Sequence, residues 1–184
     1  AVDAHDIAGI SIYAEHGILA NSFIASTTVL SSSDVRIKEN VVTSLPQVDL
    51  QTLIKLRITD FQYLDKVACG SVTRKGLIAQ ELEVIFPQAV RKRKDFLPDV
   101  YQVAKSIQLN HSTKTLNVTL TKPHHFKVGN TIKLISDEQE YHKEVIQILD
   151  DQSFSVGDWT QEISRIFVYG KQVDDYRTVD YDQV

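Results

Sequence analysis

The sequence predicts an α+β fold, small helices on an antiparallel sheet, with an inserted all-β subdomain and a β-structured N-terminal stub. Three observations predict it. Between residues 46 and 96, short segments of helical spacing follow short alternating ones. From about 100 to 170 the pattern is β almost throughout, with turn signals at Asn110-His111-Ser112, Val128-Gly129-Asn130 and Val156-Gly157-Asp158. Residues 1–32 alternate apolar and small residues with little charge.

The bounds are those of one ordinary domain. The chain has 184 residues and 42% apolar residues, enough for a core. A net charge of −4 argues against general binding to nucleic acid, which needs positive charge to neutralise phosphates. The single cysteine, Cys69, excludes an internal disulfide or a cysteine zinc cluster. No apolar run approaches the roughly 18 residues of a membrane span, and the N-terminus lacks the pattern of a secretory signal. Beginning on Ala1 and containing no methionine, the sequence reads as a piece of a longer polypeptide.

In chain order, 9–14 and 18–26 alternate as short strands around a turn at Glu15-His16-Gly17. With so few large apolar residues this segment is expected to pack against copies of itself or a neighbouring module. Asp34-Val35-Arg36-Ile37-Lys38 alternates as a half-buried strand, Val35 and Ile37 inward and Asp34, Arg36 and Lys38 on the other face. Val48 to Leu56 has helical spacing, with Asp49 as its cap. Arg57 to Leu64 alternates as a strand, and Cys69-Gly70-Ser71 reads as a hairpin tip. Gly76 to Ala79 leads into a short helix, Gln80 to Phe86, stopped by Pro87; a strand follows from Ala89. Beyond 100 the expected strands are 100–107, 115–120, 131–135, 141–149, 153–156 and 165–169, a small barrel or sandwich with its own core.

The stretch with chemistry in it is Ser32 to Asn40. Ser33 is followed five residues later by Lys38. A serine hydroxyl is a poor nucleophile until a base takes its proton, and a neutral lysine amine can be that base. Five residues is odd in a strand and lies roughly 140° around a helix, so neither regular element joins the two side chains. A bend at 33–34 or a neighbouring subunit must do so.

Three other clusters carry less. Arg91-Lys92-Arg93-Lys94 suits a nucleic-acid patch, but a strand divides its charges between two faces, and a solvated edge strand is favoured. His124-His125 lacks the partners of a metal site and is read as the entry to the all-β stretch. Asp174, Asp175, Asp180 and Asp182 lack the spacing of a calcium loop and read as a solvated acidic tail.

Three stretches together resemble the intramolecular chaperone auto-processing domain at the C-terminus of phage tail spikes and fibres, of the endosialidase type, with a related domain in myelin regulatory factor. They are Ser33-Asp34-Val35-Arg36-Ile37-Lys38-Glu39-Asn40; Gly76-Leu77-Ile78-Ala79-Gln80-Glu81-Leu82-Glu83 with Phe86-Pro87-Gln88-Ala89-Val90; and Val179-Asp180-Tyr181-Asp182-Gln183. The resemblance covers 33–107 and 165–184. It implies a homotrimer that helps an upstream fibre or spike of the same polypeptide to fold, then releases itself through a Ser–Lys dyad. Ser33 would be the nucleophile and Lys38 the general base, with the cut at Ser32–Ser33 and support from Asp34, Arg36 and Asn40. Residues 1–32 would end the fibre, 33–184 form the processing domain, and about 108–164 be a β-rich insertion. In the family a coiled-coil helix follows the third stretch.

The implied chemistry is single turnover in cis and needs no cofactor. Attack by the Ser33 hydroxyl on the Ser32 carbonyl closes a five-membered ring and converts amide to ester, proximity supplying much of the rate. Lys38 must lose its proton, against a free value of roughly 10.4. Burial on trimer assembly, or the nearby Arg36, would favour that loss. The implied partners are other copies and the upstream segment, not nucleic acid or membrane. The implied location is a virion fibre or spike precursor assembled in the host cytoplasm. A non-enzymatic trimeric fibre tip or receptor-binding module is the alternative.

Overall fold

The computed structural model describes residues 33–137 and 139–183, so the strands expected within 1–32 lie outside the described residues. The chain divides into two compact units, Ala1–Val42 and Thr43–Val184. In the first, the half-buried strand expected at 34–38 is instead a 3-10 turn, Val35–Ile37, with Val35 and Ile37 both exposed. Their alternation imitates a strand, yet among the described residues no second strand or core faces them.

The second unit begins with α1 (Pro46–Leu53). Pro46 at its first turn presets the backbone, so the helix starts three residues before Asp49. Asp49 is therefore not the cap; its carboxylate accepts a hydrogen bond from the Ser44 hydroxyl at 2.8 Å. A short hairpin pairs β1 (Thr59–Phe61) with β2 (Arg74–Gly76), so the strand expected over 57–64 is trimmed to its centre. Between them lies α2 (Lys66–Cys69), capped by the Asp65 carboxylate on Ala68 N–H and ended by Gly70 at φ 75°. The hairpin tip expected at Cys69-Gly70-Ser71 is thus a helix end, for which a glycine at positive φ is equally suited. The helix α3 (Ala79–Ile85) follows, with Pro87–Ala89 as a 3-10 turn leading into β3 (Val90–Phe96).

The rest is a mainly antiparallel sheet: β4 (Gln102–Val103), β5 (Ser106–Asn110), β6 (Thr115–Thr119), β7 (Thr131–Ser136), β8 (Gln139–Ile148), β9 (Ser153–Val156) and β10 (Phe167–Val179). Its order is β3-β10-β7-β8-β9-β6-β5, with β4 pairing β10. Ala104 N–H donates to Ile166 O at 2.9 Å and Lys105 N–H to Thr119 O at 2.8 Å. One bent strand, β4 and β5, therefore pairs with both ends of the run from β10 to β6 and closes it into a barrel. Of the two architectures expected, barrel or sandwich, the pairings make the barrel. Leu116, Val118, Ile132, Leu134, Val145, Phe154, Val156 and Val168 fill it, fully buried, on alternate positions of their strands.

β10 belongs to both halves of this unit. Its first residues pair with β4 and β7, and Gln172 to Val179 pair with β3. The acidic tail expected from Asp174 falls within the span of β10, though Asp174 and Asp175 form an irregularity between Val173 and Tyr176 and stay exposed. Between its pairing with β4 and its pairing with β3, the register of β10 on β7 shifts between Val168 and Gly170, and a Cβ on Gly170 would stand 1.9 Å from Leu97 O. Only glycine fits that approach. The helix α3 rests on this sheet, where Glu83 meets Lys92 at 2.5 Å and Arg177 at 2.6 Å.

Candidate active site

Ser33 and Lys38 are brought together by the turn between them. Asp34 is extended (φ −66°, ψ 133°), and its carboxylate Oδ1 accepts the Arg36 N–H at 2.9 Å. Ile37 N–H donates to Asp34 O at 3.2 Å and Lys38 N–H to Val35 O at 3.1 Å. A turn of three residues reverses the chain more tightly than a strand or an α-helix does. Lys38 Nζ consequently donates to Ser33 Oγ at 2.8 Å. The contact is made within one chain, but by the turn at Val35–Ile37 and not by a bend at 33–34, where Asp34 is extended.

Asp34 and Arg36 form a fork beside the pair, with Arg36 Nη2 2.6 Å from Oδ2 and Nε 3.0 Å from Oδ1. The Arg36 side chain, then its backbone N–H, hold the Asp34 carboxyl below the usual carboxylate range, and the pairing raises the arginine in turn. Asn40 adopts a left-handed backbone (φ 53°), and no contact among the described residues joins it to the pair. Ser32 lies outside the described residues. Ser33 and Lys38 are both exposed. A heavy-atom separation near 2.8 Å is within reach for proton transfer between hydroxyl and amine once the amine is neutral.

The competing clusters are structural. Arg91 to Lys94 lie on β3, at one edge of the sheet, and each meets a carboxylate: Asp180, Glu83, Asp95 and Asp174 in turn. His124 is buried in a loop rather than set on a strand; its ring bonds Asp150 O and accepts Phe126 N–H, while His125 is exposed. Among the described residues no group of three or more His, Cys, Asp or Glu side chains gathers as a metal site. Nor is any helix among them long and apolar enough to cross a membrane.

Sequence reasoning missed one polar cluster. Asp65 accepts a hydrogen bond from the Tyr101 hydroxyl at 2.9 Å, beside a cleft formed by Val67, Ala68, Ile135, Phe167 and Tyr169. Burial pushes its carboxyl up, but Ala68 N–H and the hydroxyls of Tyr101 and Tyr169 outweigh that and leave it lowered. Burial, followed by the Asp65 charge, raises Tyr169 well above the usual phenol range. The available signal was local: an Asp five residues before Gly70 marks a short capped helix.

Residues 33–91 match a peptidase family described as chaperone of endosialidase. The match takes in about a third of the chain, and the chaperone and self-cleaving peptidase characters are those of the matched family. The chain is also similar to myelin regulatory factor homolog 1 of Caenorhabditis elegans, 32% identical over 100 residues, which is 48% of this chain and 11% of that protein. The chain thus spans about a tenth of that relative's length. The matched segment opens on Ser33 and takes in the turn, α1 to α3 and the start of β3.

Proposed function

We propose that this chain is a trimerising intramolecular chaperone that assists an upstream segment to fold and then releases itself by cutting the Ser32–Ser33 bond. The observation that carries the reading is the 2.8 Å contact between Lys38 Nζ and Ser33 Oγ at the first residue of the family segment. Ser33 Oγ attacks the Ser32 carbonyl carbon as Lys38 takes the hydroxyl proton. The C–N bond breaks, the Ser33 nitrogen gains that proton, and an ester joins the two residues. Water then hydrolyses the ester, leaving a carboxylate on Ser32 and an amine and hydroxyl on Ser33. The shared chain supplies proximity.

An amine in water is charged at neutral pH, so the base must first be covered. Assembly of three copies would do this and would tie cutting to completed folding. Trimerisation is supported by apolar side chains that the family segment leaves in water, among them Leu50, Leu53 and Ile54. In this reading the barrel is an insertion, of about 108–164, into a processing domain of residues 33–184. That is supported by its closed ring of strands, its separate core and its place beyond the family match. Residues 1–32 are then the end of a β-structured fibre or spike, in a virion precursor assembled in the host cytoplasm; the alternating small and apolar residues of 9–26 support this.

A second reading, a non-enzymatic trimeric tip or receptor-binding module, is favoured by the exposure of both side chains of the pair. Mass spectrometry of the polypeptide carrying residues 1–184 separates the two. Self-cleavage yields a fragment beginning at Ser33, with Ser33→Ala and Lys38→Ala intact. A wild type that stays intact once assembled overturns the autoproteolytic reading.

A further inference from the structure

We infer that Asp34 is the positioning residue of the Ser33–Lys38 pair, acting as the cap of the turn between them and not through its charge. The inference rests on the autoproteolytic reading and adds a cause to it. Ser33 and Lys38 meet only because the chain turns at Val35–Ile37, and three residues of 3-10 helix are weakly stable by themselves. Apolar packing does not hold this turn: it has no buried residue, and Val35 and Ile37 are 66% and 67% exposed. Two main-chain hydrogen bonds hold it, and Asp34 makes a third. Asp34 O accepts Ile37 N–H, Val35 O accepts Lys38 N–H, and Asp34 Oδ1 accepts Arg36 N–H, a donor the short turn would otherwise leave unmatched. One residue thus contributes two of the three bonds.

The arginine fork explains why the cap is well placed. Arg36 Nε and Nη2 grip both carboxylate oxygens and fix the side chain in the orientation in which Oδ1 faces the turn. The same fork matches the negative charge of Asp34 with a positive one. The carboxylate therefore has little charge to spend on Lys38, and what remains for it is geometry. A cap of this kind changes the population of its turn by a factor of about two to thirty. Cleavage, which needs the turn, should change in proportion.

The test measures self-cleavage rates against pH for the full polypeptide carrying Asp34→Ala, Asp34→Asn or Asp34→Ser, with Ser33→Ala as control. Light scattering and circular dichroism confirm that each variant assembles like wild type. Asn and Ser keep an oxygen that can accept Arg36 N–H, whereas Ala does not. The expected result is a loss of about tenfold for Asp34→Ala, rates within about threefold of wild type for Asn and Ser, and one unchanged pH midpoint in all. An Asn variant as slow as Ala, or a pH midpoint displaced in Asn, would assign the effect to charge and overturn the inference. An Ala variant at the wild-type rate overturns it too. Those failures leave Ser33-dependent cleavage standing, whereas a Ser33→Ala protein that still cleaves overturns both the inference and the reading beneath it.

Discussion

The barrel and the helical stretch before it treat apolar side chains in opposite ways. Leu116, Ile132, Leu134 and Phe154 are wholly buried inside a ring of strands that pairs with itself. On α1 no residue is buried, and Ile54 just beyond it is 73% exposed. Both stretches are rich in Leu, Ile and Val, so composition does not separate them. Closure does. A barrel removes its own edges and encloses its own core, while a short helix has one apolar face and needs something laid against it. The barrel thus buries its apolar residues within one copy, and α1 leaves its own exposed.

The largest expected effect breaks this comparison if it is wrong. Phe154→Ala removes a ring packed edge-on against Phe126 and His124 and should cost about 3–5 kcal/mol in chemical denaturation. Leu50→Gln on α1 keeps helix propensity and exchanges one exposed group for another, so monomer stability should move by less than about 0.5 kcal/mol. Its effect should appear in association, as a lower mass in light scattering at the concentration where wild type assembles. Equal losses of stability in the two variants would abolish the distinction.

Next in size is the junction. Gly170, still opposite Lys133 of β7, lies two residues before β10 begins to pair with β3, and an added Cβ meets Leu97 O, Asp99 Oδ1 at 2.4 Å and Asp99 N at 2.8 Å. Backbone cannot withdraw as a flexible side chain can. Gly170→Ala should therefore destabilise on the order of 3 kcal/mol. Since Asp99 Oδ1 also accepts Lys171 N–H, the loss should include protection of that amide in hydrogen exchange. A Gly170→Ala protein with wild-type stability and exchange would mean that the two halves of β10 are not rigidly joined.

What the sequence disclosed follows the same division. The strands at 131–136 and 153–156 were legible to within a residue, because a face buried inside a barrel writes a period of two, as in Ile132 and Leu134 or Phe154 and Val156. The latter half of β10 was not, because its pairing partner β3 lies some eighty residues earlier and Asp174 and Asp175, exposed in an irregularity between Val173 and Tyr176, carry no apolar signal. Ser33 and Lys38 could be named from residue type, but not joined. A 3-10 turn has neither period, and Val35 and Ile37 sit in it with the spacing of a strand while facing water. The hydrogen bond that shapes the turn runs from a side chain to the backbone, and no periodicity reports such a bond.

The smallest expected effect sharpens the comparison by asking what ties α2 to the barrel. Asp65 caps α2, while the hydroxyls of Tyr101 and Tyr169 come from the barrel side, so one carboxylate joins the two regions. Its carboxyl is lowered in the fold, so its contribution is complete above the unfolded value, near 4, and is lost as pH falls through the lower folded value. Tyr169 is raised, so its contribution is complete below the unfolded value, near 10, and is lost as pH climbs toward the folded one. Stability measured by urea denaturation should therefore be level between these limits and fall beyond each. Tyr169→Phe should make the alkaline fall shallower and, by removing one hydroxyl that lowers Asp65, slightly flatten the acid one; Asp65→Asn should flatten the acid limb most and the alkaline limb less. An alkaline limb identical in Tyr169→Phe and wild type would show that the carboxylate and that phenol are not coupled, leaving α2 attached through Tyr101 and apolar contact alone.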